Sequence, residues 1–150
     1  MEVDDDLNQW CQKGQIYIWR YDTNKWDRKG WHFSGDRKGC LSFLDLLARL
    51  RNKDDQYRTW KLAPLPENAW RVPNYGRPRR DRFDRLRVNF DREATSLSFD
   101  VEGEMLILSL GPESLEKVVA CFTSVSIGEG DFGISPDPND KEPPWMFWWY

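Results

Sequence analysis

Apolar and polar side chains alternate with a period of two along much of the chain and switch to a helical period in two stretches. Residues 15–21 carry Ile16, Tyr17, Ile18 and Trp19 and predict a strand. The turn formers Asp22, Thr23, Asn24 and Lys25 follow, and Trp31, His32 and Phe33 predict the return strand of a hairpin ending at Gly35. Ser42-Phe43-Leu44-Asp45 has the form of a capping box, with Leu41 and Leu46 as the flanking apolar pair, so a helix is expected to start there. Phe43, Leu44, Leu47 and Leu50 form its buried stripe, and it should stop near Asn52. Residues 57–62 alternate again, with Arg58, Trp60 and Leu62 on one side and Tyr57, Thr59 and Lys61 on the other.

Pro64, Pro66, Pro73 and Pro78 make residues 63–84 an irregular connection, because proline breaks helices and has no place in a central strand. A meander then follows. Leu86, Val88 and Phe90 define one half-buried strand, and Leu97, Phe99 and Val101 another. Residues 105–110 are apolar on both faces, as a central strand requires. Gly111-Pro112 opens a second helix with the stripe Leu115, Val118, Val119 and Phe122. Residues 145–150, Trp-Met-Phe-Trp-Trp-Tyr, read as a last strand. Left at an edge it would invite aggregation, so it should be inserted between neighbours, covered or paired. The order is ββαβ, a long loop, then βββαββ. It predicts an α+β fold: two layers, a mainly antiparallel sheet with two helices packed on one face, as one domain over residues 1–150 with a Pro/Arg-rich loop at 63–84. No repeat of 20–50 residues is visible.

Composition narrows the function classes. At 150 residues with nine Trp, the chain has the size and aromatic content of a folded domain. No apolar run approaches the ~18 residues of a membrane span, and the acidic start lacks the features of a signal peptide, so a cytoplasmic location with no membrane partner is expected. The three cysteines, Cys11, Cys40 and Cys121, have no metal-ligand or disulfide-framework spacing; Cys40 and Cys121 read as core residues. Net charge is −3 but unevenly spread. Residues 71–92 hold eight Arg and three Asp, whereas residues 93–150 hold 11 acidic and two basic side chains.

Candidate chemistry is sparse. Gly128, Gly130 and Gly133 have dinucleotide-fingerprint spacing, but the prolines after them prevent the required helix, so they read as turn glycines and no cofactor is expected. Asp131-Phe132-Gly133 lacks the other kinase motifs. The acidic side chains near Glu129 do not match a calcium loop, and a lone His32 offers no two-histidine site, so no metal is expected. No nucleophile is placed beside His32, which leaves no catalytic residue to name; carboxylate-only catalysis stays open. Arg77, Arg79, Arg80 and Arg82, with Trp70, Tyr75 and Phe83 interleaved, are the candidates for nucleic-acid binding. The tryptophans line either an interface or an outer sheet face sealed by Arg and Lys stems.

Gly128-Glu129-Gly130-Asp131-Phe132 followed by Trp145-Met146-Phe147-Trp148-Trp149 resembles the end of a group of small bacterial proteins with no established activity. The size and style also resemble the immunity proteins of bacterial toxin systems. That resemblance implies a non-enzymatic protein that neutralises a partner by binding it, and carries over no functional residue. The expected function is therefore protein binding, to a partner or to another copy. Glu129, Asp131, Phe132, Trp145 and Trp148 are the partner-binding candidates, with nucleic-acid association or a carboxylate-dependent enzyme as alternatives.

Overall fold

The elements follow in the order β1 (Ile16–Trp19), β2 (His32–Gly35), α1 (Arg37–Leu50), β3 (Gln56–Lys61), α2 (Glu67–Trp70), β4 (Arg85–Phe90), β5 (Ser98–Glu102), β6 (Met105–Leu110), α3 (Pro112–Ser126), β7 (Phe132–Ile134) and β8 (Trp145–Phe147). The computed structural model describes residues 7, 9–51, 56–71, 75–79, 83–95, 97–129, 132–136 and 142–148. Apart from the one-turn α2 and a 3-10 turn at Trp26–Arg28, this is the succession the hydrophobic pattern predicts. The fold is α+β, and four of the six strand pairings are antiparallel.

The strands, expected in one sheet, are shared between two: β1-β2-β8-β7 and β3-β4-β6-β5. Both sheets repeat one pattern, with a central parallel pair (β2/β8, β4/β6) flanked by antiparallel ones. The two halves of the chain are structural repeats of each other. With α2 set aside, each half of the chain is ββαββ and gives two strands to each sheet. The helices carry the same signature. Gly39, Cys40, Phe43, Leu46, Leu47 and Leu50 are buried in α1, and Ser114, Leu115, Val118, Cys121, Phe122 and Val125, each 75 residues later, are buried in α3. A 75-residue offset is longer than the 20–50 residues of the common repeat families.

α1 starts five residues before the expected Ser42. Asp36 is the N-cap, its carboxylate accepting from Gly39 N at 2.6 Å. Ser42 lies inside the helix and serves the amino-terminal segment instead, accepting from Lys13 N and donating to Cys11 O. Leu41, expected as a staple, is 47% exposed. At the matching start of α3 the hydrogen bond is reversed: Ser114 Oγ accepts from Gly111 N at 2.8 Å. A preceding segment closes on each helix start, so that a Cβ at Gly39 would overlap Gln15 O and one at Gly111 would overlap Ala94 O.

One continuous apolar cluster joins the layers. Phe43 of α1 meets Trp60 of β3 edge-on at 5.6 Å, and Phe122 of α3 meets Phe33 of β2 and Phe147 of β8. Phe33 also stacks on Phe99 of β5, linking the inner faces of the two sheets. The space among these side chains is too small for a water molecule. The terminal strand β8 lies between β2 and β7, which answers the edge hazard by insertion. At the exposed edge of β3, the Gln12 side-chain amide pairs with the backbone of Lys61 in both directions, at 2.8 and 2.7 Å. No helix among the described residues is long and apolar enough to cross a membrane.

Candidate functional site

α3 ends in a Schellman motif. Gly128 adopts φ +83°, its N–H donates to Val125 O, and Glu129 N donates to Ser124 O at 2.8 Å. Gly128 thus closes a helix and does not open one, which is the turn role its spacing left open. The motif leaves Ile127 off the buried stripe and 64% exposed, the most exposed large apolar side chain among the described residues. Beside it is an open groove of about 580 Å³ lined by Gly35, Asp36 and Arg37 at the start of α1 and by Val125, Ser126, Ile127 and Gly128 at the end of α3. The groove follows from the helix pairing, which brings the first turn of α1 next to the last turn of α3. Asp36 is committed to Gly39 N and Gln15 N, and Ser126 Oγ donates to Thr123 O, so these polar groups are already satisfied. Arg37, Lys38, Thr123, Ile127 and Glu129 are exposed in this region.

The sequence-predicted partner residues do not come together. Glu129 is exposed beside the groove. Asp131 lies outside the described residues. Phe132 sits in the edge strand β7, paired in register with Phe147. Trp145 is corrected from surface anchor to core: it is 4% exposed and packs at 5.4 Å from Phe33 and 5.2 Å from Phe99. Burial follows from insertion, because a strand with neighbours on both sides must turn one pleat face to the helices. Trp148 is half-buried on the opposite face. Ile127 was missed by sequence reasoning; its position off the i, i+3, i+4 stripe, directly before a helix-ending glycine, was the legible signal.

The outer face of the first sheet is sealed by rings. His32, fully buried, stacks between Trp19 (5.8 Å) and Trp148 (6.0 Å) and meets Tyr21 and Tyr75 edge-on. Trp148 Nε1 can only donate, so His32 Nδ1 accepts, at 2.9 Å; the neutral ring therefore carries its proton on Nε2 and donates to Arg28 O, also at 2.9 Å. Burial pushes the imidazole down to about 4, against the raising effect of the Arg28 carbonyl. Burial likewise pushes the Cys40 and Cys121 thiols up to about 12, so both stay protonated. The guanidinium of Arg28 lies over Tyr75 on this face, and that of Arg20 lies over Trp31, whose ring stacks on Phe99 in the core. Among the described residues no cluster of His, Cys, Asp and Glu could hold a metal ion.

Of the nucleic-acid candidates, Arg77 and Arg79 are exposed, on a segment whose backbone is tied to the end of β1 by Asp22 N to Arg77 O and Arg79 N to Arg20 O. Arg80 and Arg82 lie outside the described residues. No family model matches this chain, and no curated protein or solved structure does either.

Proposed function

We propose that the protein is a non-enzymatic binding domain of the immunity type, which recognises a basic protein partner at the junction of α1 and α3. The observation that supports this most directly is Ile127, an aliphatic side chain 64% exposed beside a groove that can take an apolar side chain of the partner. Glu129 adjoins it, and the 11 acidic residues of the last 58 give this third of the chain the charge that steers a basic protein.

The test is binding of the full chain to the purified product of the adjacent gene, measured by calorimetry. Ile127→Asp, which introduces a charge into the apolar contact, should weaken the complex by about 100-fold or more. Glu129→Lys should act mainly on the association rate and its salt dependence. Both sites are exposed, so both variants should keep the wild-type melting temperature. Undiminished affinity in Ile127→Asp would remove the site.

A further inference from the structure

We infer that the outer face of the sheet β3-β4-β6-β5 is a self-association surface, and that two copies meet there face to face about a two-fold axis parallel to the strands. This surface is separate from the α1–α3 junction and does not depend on that reading. The structural repeat supplies the contrast. The equivalent face of the other sheet is covered by Trp19, His32, Tyr75 and Trp148, whereas this one has Tyr57, Thr59, Lys61, Arg85, Asp100 and Glu102 exposed and Met105 and Ile107 half-buried.

The strand registers place the charges in order. One row across the face reads Lys61, Arg85, Met105, Glu102, and the next reads Thr59, Arg87, Ile107, Asp100. Each row is basic on the β3–β4 side (Lys61 and Arg85 in the first, Arg87 in the second), apolar on β6 and acidic on β5. Arg87 is braced over the Tyr57 ring at 4.1 Å, and Arg85 makes an exposed pair with Asp84 at 3.3 Å. A face with this gradient is complementary to itself in one orientation. A two-fold axis along the strands sets β3 over the partner's β5 and β4 over the partner's β6, so Lys61 lies over the partner's Glu102 and the basic half of each face lies over the apolar and acidic half of the other. An in-plane axis across the strands would set like charges on one another. The face is four strands wide, about 20 Å at ~4.8 Å per strand. It is therefore small for a permanent dimer, and the association should be weak and sensitive to salt.

Sedimentation equilibrium of the full chain tests this. At low salt the average mass should rise with concentration from 17.9 kDa toward twice that value, and about 0.5 M NaCl should reverse the rise. Two double variants then decide the geometry. Lys61→Glu with Arg85→Glu makes the β3–β4 side acidic like β5, and Asp100→Lys with Glu102→Lys makes β5 basic like the β3–β4 side. Each alone should stay monomeric, and their equimolar mixture should associate. A wild-type chain that remains at 17.9 kDa at about 1 mM and low salt, or double variants that self-associate like wild type, or a mixture that stays monomeric, would overturn the proposal. Circular dichroism checks folding of the variants; should they unfold, Ile107→Lys on the central strand reads the same face and should abolish the mass increase.

Discussion

Lowering the pH from 7 to 5 should destabilise the fold through one side chain, His32. In the unfolded chain an imidazole titrates near 6.5. In the folded protein burial pushes it down to about 4, and both ring nitrogens are in use. Between those two values the unfolded chain takes up a proton that the folded one refuses. Stability is therefore full above pH 6.5, declines as the pH falls, and levels off near pH 4. The gap corresponds to ~3 kcal/mol in all, of which about 2 kcal/mol is lost between pH 7 and pH 5. A proton forced onto Nδ1 in place would face the Trp148 indole N–H, donor against donor, and would release the residue that follows β8. Urea unfolding followed by tryptophan fluorescence at pH 7, 6 and 5 measures this. With a slope of ~2 kcal/mol per molar urea, the midpoint should drop by about 1 M. Since the chain has a single histidine and carboxylates ordinarily titrate near 4, the window belongs to His32. A flat midpoint over this range, or a native imidazole titrating near 6.5 by NMR, would refute the reasoning; the same spectra should place the proton on Nε2.

Three further outcomes follow from the packing. Gly39→Ala, which in an ordinary helix would gain about 1 kcal/mol, should instead lose about 1–3 kcal/mol in denaturant unfolding, because the added methyl overlaps Gln15 O. Trp145→Ala should lower stability by about 3–5 kcal/mol as a core truncation; a near-neutral effect would return Trp145 to the surface. If the alternative of nucleic-acid binding holds, affinity for single-stranded RNA should fall with salt, and Arg77→Ala with Arg79→Ala should reduce the log–log slope by about 1.4, the value for two phosphate contacts to a single strand; no binding at low salt would remove that alternative.

Succession of elements was legible because each carries its own periodicity. Trp60 and Leu86 fell on the buried side of their strands, and Leu115, Val118 and Phe122 on the buried face of α3. The helix start at Asp36 was masked because Ser42 with Asp45 imitated a cap, whereas Ser42 is used by Lys13 and Cys11, about thirty residues away in sequence, and the cap itself is the local Asp36–Gly39 bond. Division into two sheets was hidden for a similar reason: alternation tells which face is buried and nothing about which strands pair. Trp145 and Trp148 show the limit for site prediction. Tryptophan serves cores and interfaces alike, and only the insertion of β8 next to β2 sends one indole into the core against Phe33 and Phe99 and the other to His32. Ile127, the exposed aliphatic residue at the end of α3, was readable as an apolar residue off its helix stripe.

The structural repeat turns the molecule into its own comparison. What the halves share, the ββαββ order, the helix pairing and the parallel central strands, is accounted for by the needs of a common core. What they do not share needs another cause. The β3–β4 connection spans 23 residues and the equivalent β7–β8 connection ten. The longer one carries Tyr75 to His32 and Trp148 and so closes the outer face of the opposite sheet, with Trp70 O accepting from Tyr21 OH at 2.5 Å. That closure makes a single buried histidine the keystone of one face and, among the described residues, leaves the charge-graded face of the other sheet exposed. Core packing does not require that gradient, because every residue in its two rows points away from Trp60, Leu86 and Leu106, which are buried on the other side. A face ordered in charge without benefit to the core it belongs to is ordered for something outside the chain, and a second copy turned about the strand direction sets its basic half against the other's acidic half.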